Sequence, residues 1–225
     1  MAATTPSERQ SHHSAPYHPP QHAHGRYAIA LDTETTGLNA SQNHVIEIAL
    51  RILDTTSGVI VDSYESVVEL SDLEWTQANP DSLRFNGFTK QEMLEKGKPR
   101  EEIAARISDI FQKHEIRKGS DFFLCQNPTF DRPFFAQLIS EEKQQQLGMP
   151  YHWLDLASMN FALETKKIVN REIHPYFIRC GKDAIAQRQG LPPEEMPHRA
   201  MNGVDHMLLI YQNIVGFPTK TERVA

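Results

Sequence analysis

The chain has 225 residues, enough for one well-buried domain and short for two. With 29 acidic against 23 basic residues its formal charge is −6, which excludes a broad basic coat for nucleic acid but not an enzyme that holds nucleic acid locally. Two cysteines, Cys125 and Cys180, cannot build a disulfide scaffold, and no apolar run approaches the roughly 20 residues of a membrane span. With no secretory pattern at the N-terminus either, the expectation is a cytoplasmic protein with no membrane partner.

Residues 1–25 form a segment rich in Pro and His, with His12, His13, His18, His22 and His24 and a single aromatic, Tyr17. It cannot bury enough apolar surface to offset its ordering entropy, so it reads as a disordered tail. Residues 26–218 read as the domain, and 219–225 as a short second tail. Tyr27 to Leu31 is an apolar run suited to a buried strand, and Val45 to Leu53 is a second. Thr55 to Gly58 make a turn into a third strand, Val59 to Val68. Pro99 opens a helix on which Ile103, Ile107, Ile110 and Phe111 recur at helical spacing. Asp121 to Cys125 is a further strand, and Phe134, Phe135, Leu138 and Ile139 mark a helix after it. Asp155 to Leu163 and Gly181 to Gln189 read as helices, the latter closed by Gly190 and stopped by Pro192 and Pro193. The last helix runs from about Asn202 to Val215. Strands, a helix, a strand, then helices imply a mixed α/β sheet.

Three segments carry chemistry. In Asp32-Thr33-Glu34-Thr35-Thr36-Gly37-Leu38, period two puts both carboxylates on one face at the end of a strand. Two acids facing the same way repel unless a cation lies between them. Taken alone, a polar turn after a strand explains the same residues. Asp131, in Asn127-Pro128-Thr129-Phe130-Asp131-Arg132-Pro133-Phe134-Phe135, falls at the start of a helix, where Asp is an ordinary N-cap. Asp205, in the segment from Pro197 to His206, falls in the first turn of the last helix, where it also suits the helix dipole.

Together these segments resemble the DEDDh-type, DnaQ-like 3′–5′ exonuclease family, to which the proofreading subunit of bacterial DNA polymerase III belongs. Asp-x-Glu-Thr-Thr-Gly-Leu is similar to its first motif, Asn-x-x-Phe-Asp-x-x-Phe-Phe to its second and His198-Arg-Ala…Asp205 to its third. Ser82 to Thr89 resembles the segment between the first two, with Asn86 where a histidine often stands. Trp153-Leu154-Asp155 resembles a structural segment after the second. The resemblance implies a ribonuclease H-like fold: a mixed five-stranded sheet with three antiparallel N-terminal strands and flanking helices. It implies two Mg²⁺ or Mn²⁺ ions held by Asp32, Glu34, Asp131 and Asp205, with His198 as the base that activates a water. Thr33, Thr35, Thr36, Gly37, Leu38, Asn86 and Asn127 are its candidate substrate-binding residues. The implied substrate is the 3′ end of single-stranded DNA or RNA, and the implied product a nucleoside 5′-monophosphate. Arg132, Lys166, Lys167, Arg171, Lys182, Arg188 and Arg199 are candidate phosphate contacts, and Phe85, Phe88 and Phe130 candidate stacking partners.

The third motif departs from the pattern. His198 and Asp205 are seven apart, where the family usually has five. On one continuous helix they would share a face but stand about 10 Å apart in rise. The expectation is therefore a turn or cap at Asn202-Gly203 that lets His198 swing back over the metals. Met201, four before Asp205, cannot act as a base, and His206 is the rival to His198. Two other readings remain. One is a non-catalytic nucleic-acid-binding or adaptor domain that keeps the fold; the other is an editing subunit held by a polymerase.

Overall fold

The computed structural model describes residues 27–217, so the expected tails at 1–25 and 219–225 lie outside the described residues. Three strands open the fold: β1 (Tyr27–Thr35), β2 (Val45–Asp54) and β3 (Ile60–Val67). They pair antiparallel as the expected meander. Four helices follow: α1 (Asp72–Thr76), α2 (Pro80–Asn86), α3 (Lys90–Lys96) and α4 (Arg100–Lys113). Then come β4 (Phe122–Cys125), α5 (Pro128–Phe135), α6 (Glu141–Gln146), β5 (His152–Asp155), α7 (Leu156–Val169), α8 (Lys182–Arg188) and α9 (Ala200–Ile214). The sheet order is β3-β2-β1-β4-β5, with β4 parallel to β1 and β5 parallel to β4. This is the mixed five-stranded sheet expected.

Several features differ from the sequence reading. β1 runs on to Thr35, so Asp32 and Glu34 lie within the strand rather than just past its end. The helix expected around Phe134 to Ile139 begins earlier, at Pro128, and ends at Phe135. Three short helices, α1 to α3, fill the stretch with no apolar periodicity. Each is started by a side-chain cap, from Ser71, Asn79 and Thr89 in turn. At this length the cap supplies much of what propensity cannot.

The sheet is covered on both faces. Ile29 and Leu31 of β1 face one core cluster, with Ile48, Phe123 and the α4 residues Ile103 and Ile107. Ala28 and Ala30 face the other, with Ala49, Leu124, Ile185, Val204 and Met207. The strand's alternation thus separates large residues under α4 from small ones under α9. Ala28, Ala30 and Ala49 let α9 lie close to the sheet, and that closeness shapes the site.

Candidate active site

Asp32 and Glu34 continue the Ala28–Ala30 face of β1, as period two requires. Both line a cavity of 560 Å³. Asp131 joins them from α5. It does not cap that helix: the N-cap is Asn127, in a left-handed conformation with φ of 60°. The Asp131 carboxylate instead accepts from the backbone N and the Oγ1 of Thr33, at 3.0 and 2.8 Å. These two bonds tie α5 to β1 and hold Asp131 buried beside Asp32.

The electrostatics of this floor are strained toward a cation. Burial pushes the Asp32 carboxyl up to about 7, with Lys182 pulling it down and Glu194 and Glu47 pushing it further up. Burial and the neighbouring Asp32 push Glu34 up to about 8. Burial and Asp32 also raise Asp131 well above the carboxylate range. All-oxygen donors of this kind suit hard divalent cations. Among the described residues, no three His, Cys, Asp or Glu side chains stand together as a finished metal centre.

His198 lies in the cavity wall, on the loop before α9. Its backbone N donates to the Phe85 carbonyl at 3.1 Å, and its ring packs on the Phe85 ring with centroids 4.1 Å apart. The close passage of Pro197 over α2 requires Gly87. That residue has φ of +72°, and a Cβ there would meet Pro197 at 2.8 Å. His198 Nδ1 is 3.3 Å from Glu194 Oε1. Burial lowers the imidazole pKa, with Glu194 working against it. His206, the rival, is buried outside the cavity, its Nε2 2.9 Å from the Pro192 carbonyl. It pins the loop and does not face the carboxylates of β1.

The structure does not bring Asp205 to the cavity. No turn forms at Asn202-Gly203; α9 runs unbroken from Ala200 through both residues. Its buried residues are Ala200, Gly203, Val204, His206, Met207, Leu208 and Ile210, and Asp205 is not among them. Asp205 instead pairs with Arg51 of β2, Nη2 to Oδ2 at 2.7 Å, with its side chain half exposed. The residue of α9 that faces Asp32 is Gly203, five after His198. A Cβ there would fall 2.0 Å from Asp32 Oδ2.

A carboxylate absent from the sequence reading stands nearby. Glu194, on the loop between α8 and α9, lines the cavity with its side chain 1% exposed. Lys182, the first residue of α8, lies between two acids: its Nζ is 2.6 Å from Glu194 Oε2 and 3.9 Å from Asp32 Oδ1. Burial disfavours its charge, but Asp32 and Glu194 outweigh that and raise its pKa. The only sequence signal for Glu194 was its position four before His198.

The substrate-binding candidates divide. Thr33, Thr35, Leu38 and Asn86 line the cavity. Leu38 is 81% exposed, which rules out core packing for it. Asn86 is buried, and both its polar ends are used: Nδ2 donates to the Thr35 carbonyl and Oδ1 accepts from Phe88 N. Thr36 and Gly37 do not line the cavity. Thr36 is fully buried, its Oγ1 accepting from His44 N, and Gly37 packs against the Asn43 side chain. Asn127 lines an adjoining cavity of 620 Å³ that shares Gln126, Phe130 and Lys182 with the first. Phe85 and Phe130 line the main cavity, whereas Phe88 is buried under Arg199. Asp155 caps α7 and accepts from Asn127 N, a structural role as expected. Of the basic candidates, Arg199 is held by Glu47 and Glu92, Lys167 and Arg188 face Glu164, and Arg132 faces Glu141.

The model of the family described as Exonuclease, RNase T, matches residues 29–209. Ribonuclease T of Histophilus somni is 28% identical over 136 residues, covering 57% of this chain and 59% of the relative. Exonuclease DPD1, chloroplastic/mitochondrial, of Arabidopsis thaliana is 25% identical over 188 residues, 83% of this chain and 55% of the relative. The chain thus spans little more than half the length of these relatives. Among solved structures, the zinc-ion-bound form of the E. coli ExoI–ssDNA complex is similar with a TM-score of 0.66 and 18% identity. That match covers 84% of this chain and 40% of the other, and it bears on the shared ribonuclease H-like sheet. The relatives named are ribonuclease T and exonuclease proteins, so the likeness to a polymerase subunit goes further than they support.

Proposed function

The chain belongs to the exonuclease family, and from that premise we propose that it is a divalent-metal-dependent 3′–5′ exonuclease. Its substrate is the 3′ end of single-stranded DNA or RNA, and its product a nucleoside 5′-monophosphate. One observation carries this reading: three carboxylates, the buried Glu34 and Asp131 and the partly buried Asp32, line one open cavity that has His198 in its wall. Asp32, Glu34 and Asp131 would hold Mg²⁺ or Mn²⁺, two ions on the family pattern. Such ions neutralise phosphate charge and lower the pKa of a bound water. His198 would be placed to take that water's proton. Its Nδ1 faces Glu194 Oε1 at 3.3 Å, which leaves Nε2 as the ring nitrogen for that proton. Leu38 and Phe85, exposed at the cavity, offer apolar and aromatic surface to a terminal base.

The test is 3′-labelled single-stranded DNA and RNA with Mg²⁺ or Mn²⁺, followed by separation of the products. The expected result is release of mononucleotides, with Asp32→Asn slowing it on the order of 10³-fold and His198→Ala also strongly impaired. A wild-type chain that releases none from either polymer sinks the reading. A second reading, a non-catalytic domain that binds nucleic acid, is favoured by one observation: α9 turns its only aspartate away from the cavity. It predicts oligonucleotide binding without hydrolysis in the same assay.

A further inference from the structure

α9 lies so close to β1 that it can offer no side chain to Asp32, since even one carbon at position 203 would overlap that carboxylate. The carboxylate nearest the gap comes from the preceding loop. Glu194 Oε1 is 3.2 Å from where a Gly203 Cβ would stand. Its side chain is buried and lines the cavity with Asp32 and Glu34. Neither of its oxygens has a donor in hydrogen-bond geometry, although Lys182 Nζ lies 2.6 Å from Oε2, His198 Nδ1 3.3 Å from Oε1 and His206 Nδ1 4.0 Å from Oε2. A buried carboxylate without aligned donors, facing the cavity that Asp32, Glu34 and Asp131 also line, retains the capacity to take a cation. The loop is held so that it stays there: Glu194 N donates to Asp183 Oδ1 at 3.0 Å, and His206 anchors Pro192.

We propose that Glu194 supplies the fourth metal-binding carboxylate of this site, from the loop before His198, in the space that Gly203 leaves beside Asp32. Asp205 takes no part, being committed to Arg51. Lys182 acts as the counter-charge to Glu194, so that four carboxylates can share one cavity. The consequence for catalysis rests on the exonuclease reading; cation binding itself does not.

The test measures Mn²⁺ binding to the full chain without nucleic acid, by loss of the free-ion electron paramagnetic resonance signal. Glu194→Gln should weaken binding at least about tenfold, and Asp205→Asn should leave it within about twofold of wild type. Because Glu194→Gln strips Lys182 of its partner, a second pair guards against misfolding. Lys182→Met leaves Glu194 without its counter-charge, whereas the double variant Lys182→Met/Glu194→Gln removes both members of the pair; the double variant should bind at least about tenfold more weakly than Lys182→Met alone. Glu194→Gln binding as tightly as wild type, or the double variant matching Lys182→Met, overturns the proposal. So does a loss of binding on Asp205→Asn. A chain that binds Mn²⁺ through Glu194 yet hydrolyses nothing would leave this proposal standing while the exonuclease reading fell.

Discussion

Gly203 decides the chemistry of α9 by having no side chain. In an exposed helix interior, glycine to alanine gains about 1 kcal/mol. Here the new carbon would fall 2.0 Å from Asp32 Oδ2 and 2.7 Å from its Cγ. Overpacking of that kind costs about 1–3 kcal/mol. Gly203→Ala should therefore destabilise the chain by about 1 kcal/mol in urea unfolding, and should displace Asp32. A stabilised variant would mean that α9 does not pack on β1 at this point. The two histidines likewise divide by contact. His198 stands in the cavity wall against Phe85, and His206 fastens a loop.

At the scale of the element, the start of α9 is fastened from the sheet rather than by its own cap. Arg199, its N-cap, makes no side-chain capping bond. Glu47 of β2 takes over: its Oε2 accepts from Ala200 N at 2.7 Å, and its Oε1 accepts from Arg199 Nη2 at 2.7 Å. Glu47 is itself 1% exposed, opposite Glu34 in the β1–β2 register. Arg199 also stacks over Phe88 and bonds to Glu92, so one guanidinium joins β2, α3 and α9. Glu47→Gln leaves that guanidinium half-paired in a partly buried place. It should cost about 3 kcal/mol, read as a lower urea midpoint with unchanged slope. A loss under about 0.5 kcal/mol would be a surface effect and would contradict this account.

For the whole molecule, acid stability tests how the sheet edge is held to its helical cover. Asp62 of β3 meets Lys113 Nζ and His114 Nε2 at the end of α4, each at 2.8 Å. Bonds from those two partners hold its carboxyl down to about 2. A folded pKa below the unfolded value, about 3.9, gives stability that is present above that value and is lost as pH falls toward 2. Asp62→Asn should therefore melt below wild type at pH 7, with the gap closing between about pH 4 and pH 2. A gap that stays constant across that window would show that the charge of Asp62 contributes nothing. The net charge of −6 fits the same scale. Among the described residues most basic side chains are paired with an acid, which leaves no broad basic face to attract a phosphate.

The sequence by itself determined what depends on local period. Alternation along β1 put Asp32 and Glu34 on one face, and the meander and the mixed sheet followed from where the apolar runs fall. The stripe Ala200, Gly203, Val204, Met207 emerges only with α9 starting at Ala200, where the sequence reading expected a turn or cap at Asn202-Gly203. On that continuous helix Asp205 lies about 100° round from Val204 and is turned away. The motif resemblance favoured the turn, because a shifted aspartate is read more easily than a missing one. Glu194 and Lys182 were not legible as a pair, nor was the bond from Thr33 to Asp131. Each joins residues from separate elements, and no periodicity spans the turns between them. Only the tertiary structure decided how near α9 stands to β1. That distance depends on the small residues Ala28, Ala30, Ala49 and Gly203 meeting across two segments far apart in the chain. It leaves no room for a side chain beside Asp32, which is why the nearest fourth carboxylate comes from a loop.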